Sequence, residues 1–210
     1  VLKTYEMDKF IVRQAGAVLE SIGGVKQKAG YYLFDYDPKR IVNEIIALGC
    51  VPDHKSHQFY PTPSELAELA VSYAGLKDGM TSLEPSAGQG GIADHMHVGE
   101  TVCVEVSDLH CKILNEKGHR WIAGDFLTID MQDKFDRIVM NPPFSSGRWQ
   151  AHVERAAKLL NSGGKLVAIV PVSAWNKYQL DGYHIEWMSK HEGAFSGTSV
   201  SVAMMRVTHG

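Results

Sequence analysis

From Phe59 onward, short apolar runs alternate with helical stretches, and this alternation constrains the fold more than any other feature of the chain. The apolar runs predict strands at Met80–Glu84, Thr101–Val106, Trp121–Ala123, Arg137–Met140 and Leu166–Val170. The stretches between them predict helices at Gly91–His97, Asp108–Lys117 and Gln150–Leu160. Nearly continuous apolar strands that alternate with helices are typical of a parallel sheet covered on both faces. We therefore expect an α/β, Rossmann-like fold that binds ligands at the carboxyl ends of its strands.

The last part of the sequence predicts a different arrangement. Tyr183–Lys190 is interpreted as a helix, Ala194–Phe195 as a short strand and Val200–Val207 as the final strand. The connection Ser196–Ser199 suits a hairpin, so the final strand should run antiparallel to its neighbour.

The first part of the chain predicts a separate helical appendage at residues 1–58, which leaves 59–210 as the main domain. Apolar side chains at helical spacing predict a first helix that ends at Gly23-Gly24; they include Met7, Phe10, Ile11, Val18 and Leu19. A second helix should begin with Asp37 as its N-cap and Pro38 in its first turn, and end at Gly49. The aromatic run Tyr31–Tyr36 between them either packs onto the main domain or contacts DNA bases by stacking. In the main domain, Thr62 is expected to cap the first helix.

Composition excludes some classes of protein. The formal net charge of −3 is unlike the basic surplus of most stand-alone DNA-binding proteins, so a nucleic acid would be held by a local patch. No apolar run is long enough to span a bilayer, and three cysteines are too few for a disulfide scaffold, so we expect a reduced, cytoplasmic setting. The pairs His54/His57 and His95/His97 have metal-like spacing, but no acid or cysteine cluster completes them, and we expect no metal.

Polar and glycine residues follow the first three predicted strands. After the first comes Glu84-Pro85-Ser86-Ala87-Gly88-Gln89-Gly90, where glycines let the backbone approach a ligand closely, unless the segment is only a tight turn. Glu105 ends the second strand, where an acid can bind both hydroxyls of a ribose or simply face solvent. Asp125 follows the third strand and can accept a hydrogen bond from an adenine amino group, with Phe126 packed on the ring; an ordinary Gly-Asp turn is the alternative.

The fourth predicted strand is followed by Asn141-Pro142-Pro143-Phe144. Two prolines fix φ and remove two backbone donors, so the chain leaves the sheet rigidly. An amide, two prolyl carbonyls and a flat ring can accept hydrogen bonds from an amino group while stacking on the ring that carries it; an Asn-Pro turn is the plain alternative. The next residues, 145–149, predict a flexible loop in which Arg148 contacts phosphate and Trp149 stacks or wedges, unless Trp149 lies in the core.

Five elements in order resemble the S-adenosylmethionine-dependent DNA adenine-N6 methyltransferases, over about Phe59 to Val207. They are Phe59-Tyr60-Pro61-Thr62-Pro63, Glu84-Pro85-Ser86-Ala87-Gly88-Gln89-Gly90, Glu105, Asp125-Phe126 and Asn141-Pro142-Pro143-Phe144. The resemblance implies a seven-stranded sheet with the last strand antiparallel, S-adenosylmethionine as cofactor, and a DNA adenine flipped into the site as substrate.

The resemblance also implies roles for individual residues. The cofactor would be bound by Tyr60, Thr62, Glu84, Ser86, Ala87, Gly88, Gly90, Glu105, Val106, Asp125, Phe126 and Asn141. Asn141, Pro142, Pro143 and Phe144 would be catalytic, and Phe144, Arg148 and Trp149 would contact the substrate.

The chain departs from many members of that family in one respect. The residues after Phe144 leave no room for a large target-recognition domain, so we expect low specificity, or recognition by the appendage, a protein partner or a homodimer. Enzymes that methylate RNA bases or protein glutamine carry similar Asn-Pro-Pro-aromatic sequences, so these substrates stay open. A catalytically silent cofactor-binding subunit is the alternative from another class, and a nicotinamide oxidoreductase would leave residues 141–144 unexplained.

Overall fold

The computed structural model describes residues 8–51, 60–97, 100–195 and 199–210. The chain divides into two compact units, Val1–Ser56 and His57–Gly210. Some predictions concern residues outside the described ranges: Met7 in the first helix, the pair His54/His57, Phe59, and positions 196–198 of the predicted hairpin connection.

The first unit contains two helices and a small hairpin. Its elements are α1 (Lys9–Ser21), β1 (Val25–Lys26), β2 (Tyr32–Leu33) and α2 (Lys39–Leu48). Asp37 accepts a hydrogen bond from the Lys39 N–H at 3.1 Å, and α2 ends at Gly49 in the left-handed conformation. The predicted end at Gly49 is confirmed, whereas Pro38 rather than Asp37 occupies the N-cap, one residue later than predicted.

Part of the aromatic run at 31–36 is used inside this first unit. The Tyr36 hydroxyl donates to the Ile22 carbonyl at 2.7 Å, and the Phe34 and Tyr36 rings meet edge to face, with centroids 5.8 Å apart. Tyr31 is more than half exposed. Contact with DNA bases by this run remains a prediction.

The second unit is built on a seven-stranded sheet. Its helices are α3 (Ser64–Ala74), α4 (Asp108–Glu116) and α5 (Arg148–Lys158). Its strands are β3 (Ser82–Glu84), β4 (Val102–Glu105), β5 (Arg120–Ala123), β6 (Phe135–Met140), β7 (Leu160–Pro171), β8 (Tyr183–His191) and β9 (Val202–His209). The spatial order is β5-β4-β3-β6-β7-β9-β8, and β9 is antiparallel to both of its neighbours. The predicted mostly parallel sheet with an antiparallel last strand is confirmed.

Both faces of the sheet are covered, as the apolar strands predicted. Along β6, Ile138 and Met140 pack with α5, whereas Val139 packs with α3 on the opposite face. This alternation follows from the two-residue period of a strand. The buried layers hold the strand ends in fixed positions.

The predicted helix at Tyr183–Lys190 is wrong, because this segment is β8. Tyr183, Ile185 and Trp187 alternate along the chain and pack on the α5 side of the core, which a strand allows and a helix does not. Ala194–Phe195 is not a strand, and the Phe195 side chain is buried on the α3 side instead.

Two smaller predictions are also wrong. Only Ala93–His95 of the predicted helix at 91–97 is helical, as one 3₁₀ turn, because the chain must return to β4 within a few residues. Pro63 rather than Thr62 occupies the N-cap of α3, and no side chain bonds there. Residues 145–147 form a 3₁₀ turn that leads directly into α5.

Candidate active site

The site lies where the strand order reverses. β3 pairs in parallel with β4 on one side and with β6 on the other. The chain therefore departs in opposite directions from two neighbouring strand ends, which opens a crevice at the carboxyl edge of the sheet. Glu84, Glu105 and Asn141 all lie at the carboxyl ends of these three strands.

The loop after β3 has a backbone that requires glycine. Gly88 and Gly90 have φ of 54° and 87°, a region that residues with a Cβ atom rarely adopt. A Cβ atom on Gly90 would lie 3.1 Å from the His119 ring and 3.2 Å from the Asp94 carboxylate. The loop is further fixed by the Ala87 N–H, which donates to the Val104 carbonyl at 3.0 Å.

A polar cluster that sequence reasoning missed supports this loop from behind. The Asp94 carboxylate contacts Lys117 Nζ and His119 Nε2, each at 2.7 Å, and the His119 side chain is fully buried. Burial opposes ionisation of Asp94, but bonds from His119 and Lys117 outweigh it and lower its pKa. The three residues are far apart in sequence, and no local pattern marked them as a group.

Glu105 connects the end of β4 to the glycine loop. Its Oε2 accepts from the Gly88 N–H at 2.7 Å, and its Oε1 accepts from the N–H groups of Val106 at 3.0 Å and Ser107 at 2.8 Å. Burial opposes ionisation, but bonds from His110 and these backbone groups outweigh it and hold its pKa below the ordinary value. Each carboxylate oxygen offers about two lone-pair positions. Val106, Ser107 and His110 face Oε1, so Oε2, which accepts from Gly88, is the oxygen with a position for a ribose hydroxyl.

Glu84, the corresponding acid at the end of β3, has the opposite environment. It is 2% exposed, and its Oε2 has no hydrogen-bond partner among the described residues. Burial raises its pKa well above the ordinary value, although a bond from the Ala93 N–H opposes the rise. Oε2 is therefore a buried acceptor that a donor on a ligand could use.

Of the two residues predicted to bind adenine after β5, Asp125 is half-buried and Phe126 is fully buried. Asp125 accepts from the Leu127 N–H at 3.0 Å through Oδ1 and from the Arg148 guanidinium at 2.8 Å through Oδ2. Burial opposes ionisation of Asp125, but the bond from Arg148 outweighs it and lowers the pKa. The Phe126 ring is buried in the core beside His152, with Arg155 over its face. The structure thus places Phe126 beneath the site rather than on its wall.

Of the two predicted substrate contacts after residue 144, Trp149 is buried and Arg148 is partly exposed. Trp149 is 8% exposed and meets Tyr178 edge to face at 4.8 Å, so it occupies the core position that was the alternative to stacking. Arg148 is paired with Asp125, which joins the predicted adenine acceptor to the start of α5.

Asn141 is oriented by a residue far away in the sequence. Its Nδ2 donates to the Thr62 hydroxyl at 3.0 Å, and this leaves the amide oxygen Oδ1 to accept from a ligand. The Phe144 ring is half-buried and packs against both core clusters. Tyr60 is half exposed beside Phe195, with ring centroids 6.3 Å apart.

The remaining predicted residues line the same strand ends. Ser86 and Pro143 are half-buried, Pro142 is buried, and Val106 is 43% exposed next to Glu105. In the described ranges, no group of three or more His, Cys, Asp or Glu side chains is arranged to hold a metal ion. His95 lies 3.7 Å from Glu68, and His97 lies 3.5 Å from Asp78. No helix of the described part is long and apolar enough to cross a membrane.

A family model, the methyltransferase small domain, matches residues 92–180. This range contains Glu105, Asp125 and the whole segment 141–144. A search of curated proteins by sequence gave no match.

Solved structures with the same fold include the following three proteins. TrmN from Thermus thermophilus is 17% identical, with a TM-score of 0.54 over 70% of this chain and 49% of its own, so this chain spans about half its length. The 23S rRNA methyltransferase ErmE is 16% identical, with a TM-score of 0.55 over 72% of this chain and 70% of its own. A protein described as a modification subunit of a type I restriction enzyme, from Vibrio vulnificus YJ016, is 16% identical, with a TM-score of 0.52 over 81% and 48%.

Residues 92–180 match the methyltransferase small domain, and the fold is shared with a structure described as a class I S-adenosylmethionine-dependent methyltransferase. The described residues fit this cofactor. The buried Glu84 oxygen is available to a donor, the glycine loop gives close backbone approach, and Glu105 retains an acceptor position for a ribose hydroxyl.

Proposed function

We propose that the chain transfers a methyl group from S-adenosylmethionine to the exocyclic N6 nitrogen of adenine in DNA. The observation that carries this proposal is the 3.0 Å hydrogen bond from Asn141 Nδ2 to the Thr62 hydroxyl. It fixes the amide so that its acceptor oxygen, rather than its donor nitrogen, is presented at the carboxyl end of β6. A group with an N–H or O–H donor binds such an acceptor, and the amino group of adenine offers two N–H donors.

In this proposal, residues 141–144 bind the exocyclic nitrogen of adenine and make it more nucleophilic. The lone pair of an exocyclic adenine nitrogen is delocalised into the ring, so the nitrogen reacts poorly. Asn141 Oδ1 and the Pro142 carbonyl accept its two N–H groups and favour a more tetrahedral, more nucleophilic nitrogen. Bound S-adenosylmethionine supplies a methyl group on a sulfonium, so alignment is the main requirement and no dedicated base is needed.

Phe144 holds the target base. Flipping a base out of a duplex costs a few kcal/mol, and stacking on one aromatic ring returns about 1–3 kcal/mol. Because Phe144 packs on both core clusters, its ring is fixed by the protein before a base arrives. Further contacts with the nucleic acid must supply the rest of the flipping energy.

DNA is favoured over RNA by the segment Phe59-Tyr60-Pro61-Thr62-Pro63, which resembles the DNA enzymes. The substrates named for the similar structures include both ribosomal RNA and, through a restriction-modification subunit, DNA. We propose low sequence specificity, or specificity supplied by a protein partner.

The substrate is tested by tritiated methyl transfer to duplex DNA, single-stranded DNA and RNA of mixed sequence, followed by nucleoside analysis. N6-methyladenine from DNA is the expected product. Label in RNA nucleosides alone would replace the DNA assignment, and label in protein glutamine alone would replace nucleic acid as the substrate. Cofactor binding without transfer to any acceptor would indicate a silent subunit.

The carrying observation is tested by Thr62→Val, which keeps the shape of the side chain and removes the acceptor for Asn141. We expect transfer to fall about fivefold, since one neutral hydrogen bond contributes about 1 kcal/mol. Thr62→Ser retains the hydroxyl and is the matched control, which should stay near wild type. Equal rates for Thr62→Val and Thr62→Ser would contradict the orienting role of this bond.

A further inference from the structure

Arg148 occupies the carboxylate that the cofactor's adenine should use. Its guanidinium donates to Asp125 Oδ2 at 2.8 Å, while Asp125 Oδ1 already accepts from the Leu127 N–H at 3.0 Å. The Leu127 bond fixes the carboxylate without help from Arg148. A guanidinium bonded to a carboxylate has charge on both partners, whereas an adenine amino group has none, so the guanidinium forms the stronger bond. Arg148 takes one acceptor position of Oδ2 and places a positive charge beside the other, so it competes with an adenine amino group for this oxygen.

The pair is built so that it can open. The Arg148 and Asp125 side chains are 41% and 32% exposed, and ion pairs of this exposure contribute only about 0–1 kcal/mol. Arg148 is the first residue of α5, directly after Ser146 and Gly147, whose φ values of 52° and 72° are both left-handed. This turn places a cation between the segment 141–144 and the segment after β5.

A phosphate group is a ligand that Arg148 can bind in place of the Asp125 carboxylate. A guanidinium presents donors in a fork that matches phosphate oxygens as well as a carboxylate. The chain as a whole is acidic, with a formal net charge of −3, so a nucleic-acid backbone depends on local cations such as this one. The pair also lies on the same strand-end edge as Asn141 and Phe144.

We propose that Arg148 couples the binding of cofactor and nucleic acid. A backbone phosphate draws the guanidinium away from Asp125, and Asp125 Oδ2 then accepts from the adenine amino group of the cofactor. Each ligand therefore raises the affinity for the other by the same factor. This inference rests on the proposed function for the identity of the two ligands.

The competition is tested by calorimetric titration of S-adenosylhomocysteine without nucleic acid. Arg148→Gln should bind it about two- to fivefold more tightly than wild type, the range expected for loss of an exposed ion pair. Lys158→Gln removes a positive charge from the exposed end of the same helix and should bind like wild type. In an Asp125→Asn background, Arg148→Gln should have no effect. Equal or weaker binding by Arg148→Gln would overturn the competition and make Arg148 a support for Asp125.

The coupling is tested by repeating the titration with an adenine-containing DNA duplex or with inorganic phosphate. Wild type should bind S-adenosylhomocysteine about two- to fivefold more tightly with the duplex, and Arg148→Gln should not respond. A matching response to inorganic phosphate would show that the phosphate group suffices, whereas a response to the duplex alone would show that the strand is required. No response to the duplex, or an equal response in Arg148→Gln, would overturn the coupling. Because the first titration contains no methyl acceptor, a failure of the proposed reaction would leave its result intact.

Discussion

The cofactor side of the site, at the ends of β3 and β4, and the substrate side, at the end of β6, differ in how their polar groups are bonded. On the cofactor side Glu105 accepts three backbone N–H groups, and Asp94 holds Lys117 and His119 behind the glycine loop. On the substrate side, the Asn141 side chain is held by a hydrogen bond to the hydroxyl of Thr62, which is distant in sequence. Changes on the cofactor side should therefore lower stability, whereas changes on the substrate side should lower turnover.

The cofactor side also contains its own contrast. Glu84 and Glu105 are both buried at the last position of neighbouring strands, yet burial raises the pKa of Glu84 and hydrogen bonds lower that of Glu105. The donors around a buried carboxyl, rather than its burial alone, decide the direction in which its pKa shifts.

Glu105→Ala should give the largest loss of stability, about 3–5 kcal/mol, because it leaves buried N–H groups without their charged acceptor. The free energy of unfolding in urea measures this. Because the folded pKa of Glu105 is lowered, its contribution is present above its ordinary value of 4.5 and is lost as the pH falls through the folded pKa. The difference between wild type and variant should therefore shrink in acid.

The control for this change is Glu154→Ala, which removes a carboxylate from the exposed face of α5. It should alter the free energy of unfolding by less than about 0.5 kcal/mol. Equal costs for the two substitutions would show that the Glu105 network is not a stabilising element.

On the substrate side, Phe144→Leu should have little effect on stability and a large effect on methyl transfer. It keeps an apolar side chain of similar volume, so stability should change by less than about 1.5 kcal/mol. Loss of stacking, about 1–3 kcal/mol per base, should lower kcat/KM for nucleic acid by roughly ten- to a hundredfold. Steady-state transfer rates measure this; an unchanged kcat/KM would exclude Phe144 from base binding.

Gly90→Ala should destabilise the cofactor side by about 1–3 kcal/mol, since its left-handed φ and its close contacts both oppose a Cβ atom. Gly118 has a φ of 82° but no atom within 4 Å of an added Cβ. Gly118→Ala is therefore the matched control, and it should cost only the conformational part, about 1 kcal/mol. Thermal unfolding distinguishes the two; equal costs would mean that the loop yields without strain against His119 and Asp94.

Glu84→Gln should have the smallest effect, less than about 1 kcal/mol near pH 4.5, because the amide resembles the neutral carboxyl. The folded pKa of Glu84 is raised, so wild type loses the contribution of this group as the pH rises above the ordinary value of 4.5. Glutamine does not titrate, so the variant should gain stability relative to wild type as the pH rises. Unfolding curves from pH 4 to pH 8 measure this trend, and a growing deficit at high pH would mean that Glu84 is ionised.

The parallel strands and the order of the site residues followed from the sequence because they depend on local apolar runs. β8 was missed, although Tyr183, Ile185 and Trp187 alternate with polar residues as in a strand. Trp149 packs against Tyr178, and Arg148 pairs with Asp125. Both partners are distant in sequence, so the residues adjacent in the chain did not predict these positions.

The opposite pKa shifts of Glu84 and Glu105 could not be predicted from the sequence either. Glu84 and Glu105 occupy the same position on adjacent strands, and their difference comes from which backbone N–H groups the loops after them present. The sequence predicts Glu105 as a ribose acceptor from its place at the end of β4, but it does not reveal the backbone N–H groups that already bond its oxygens.

The central claim is tested most directly by measuring cofactor binding and methyl transfer on the same preparation of Asn141→Ala. We expect S-adenosylmethionine affinity within about twofold of wild type and transfer to DNA reduced by at least about a hundredfold, as for loss of a positioned group in other enzymes. Asn115→Ala, on the exposed surface of α4, is the matched control and should leave both unchanged. Normal turnover by Asn141→Ala would contradict the account.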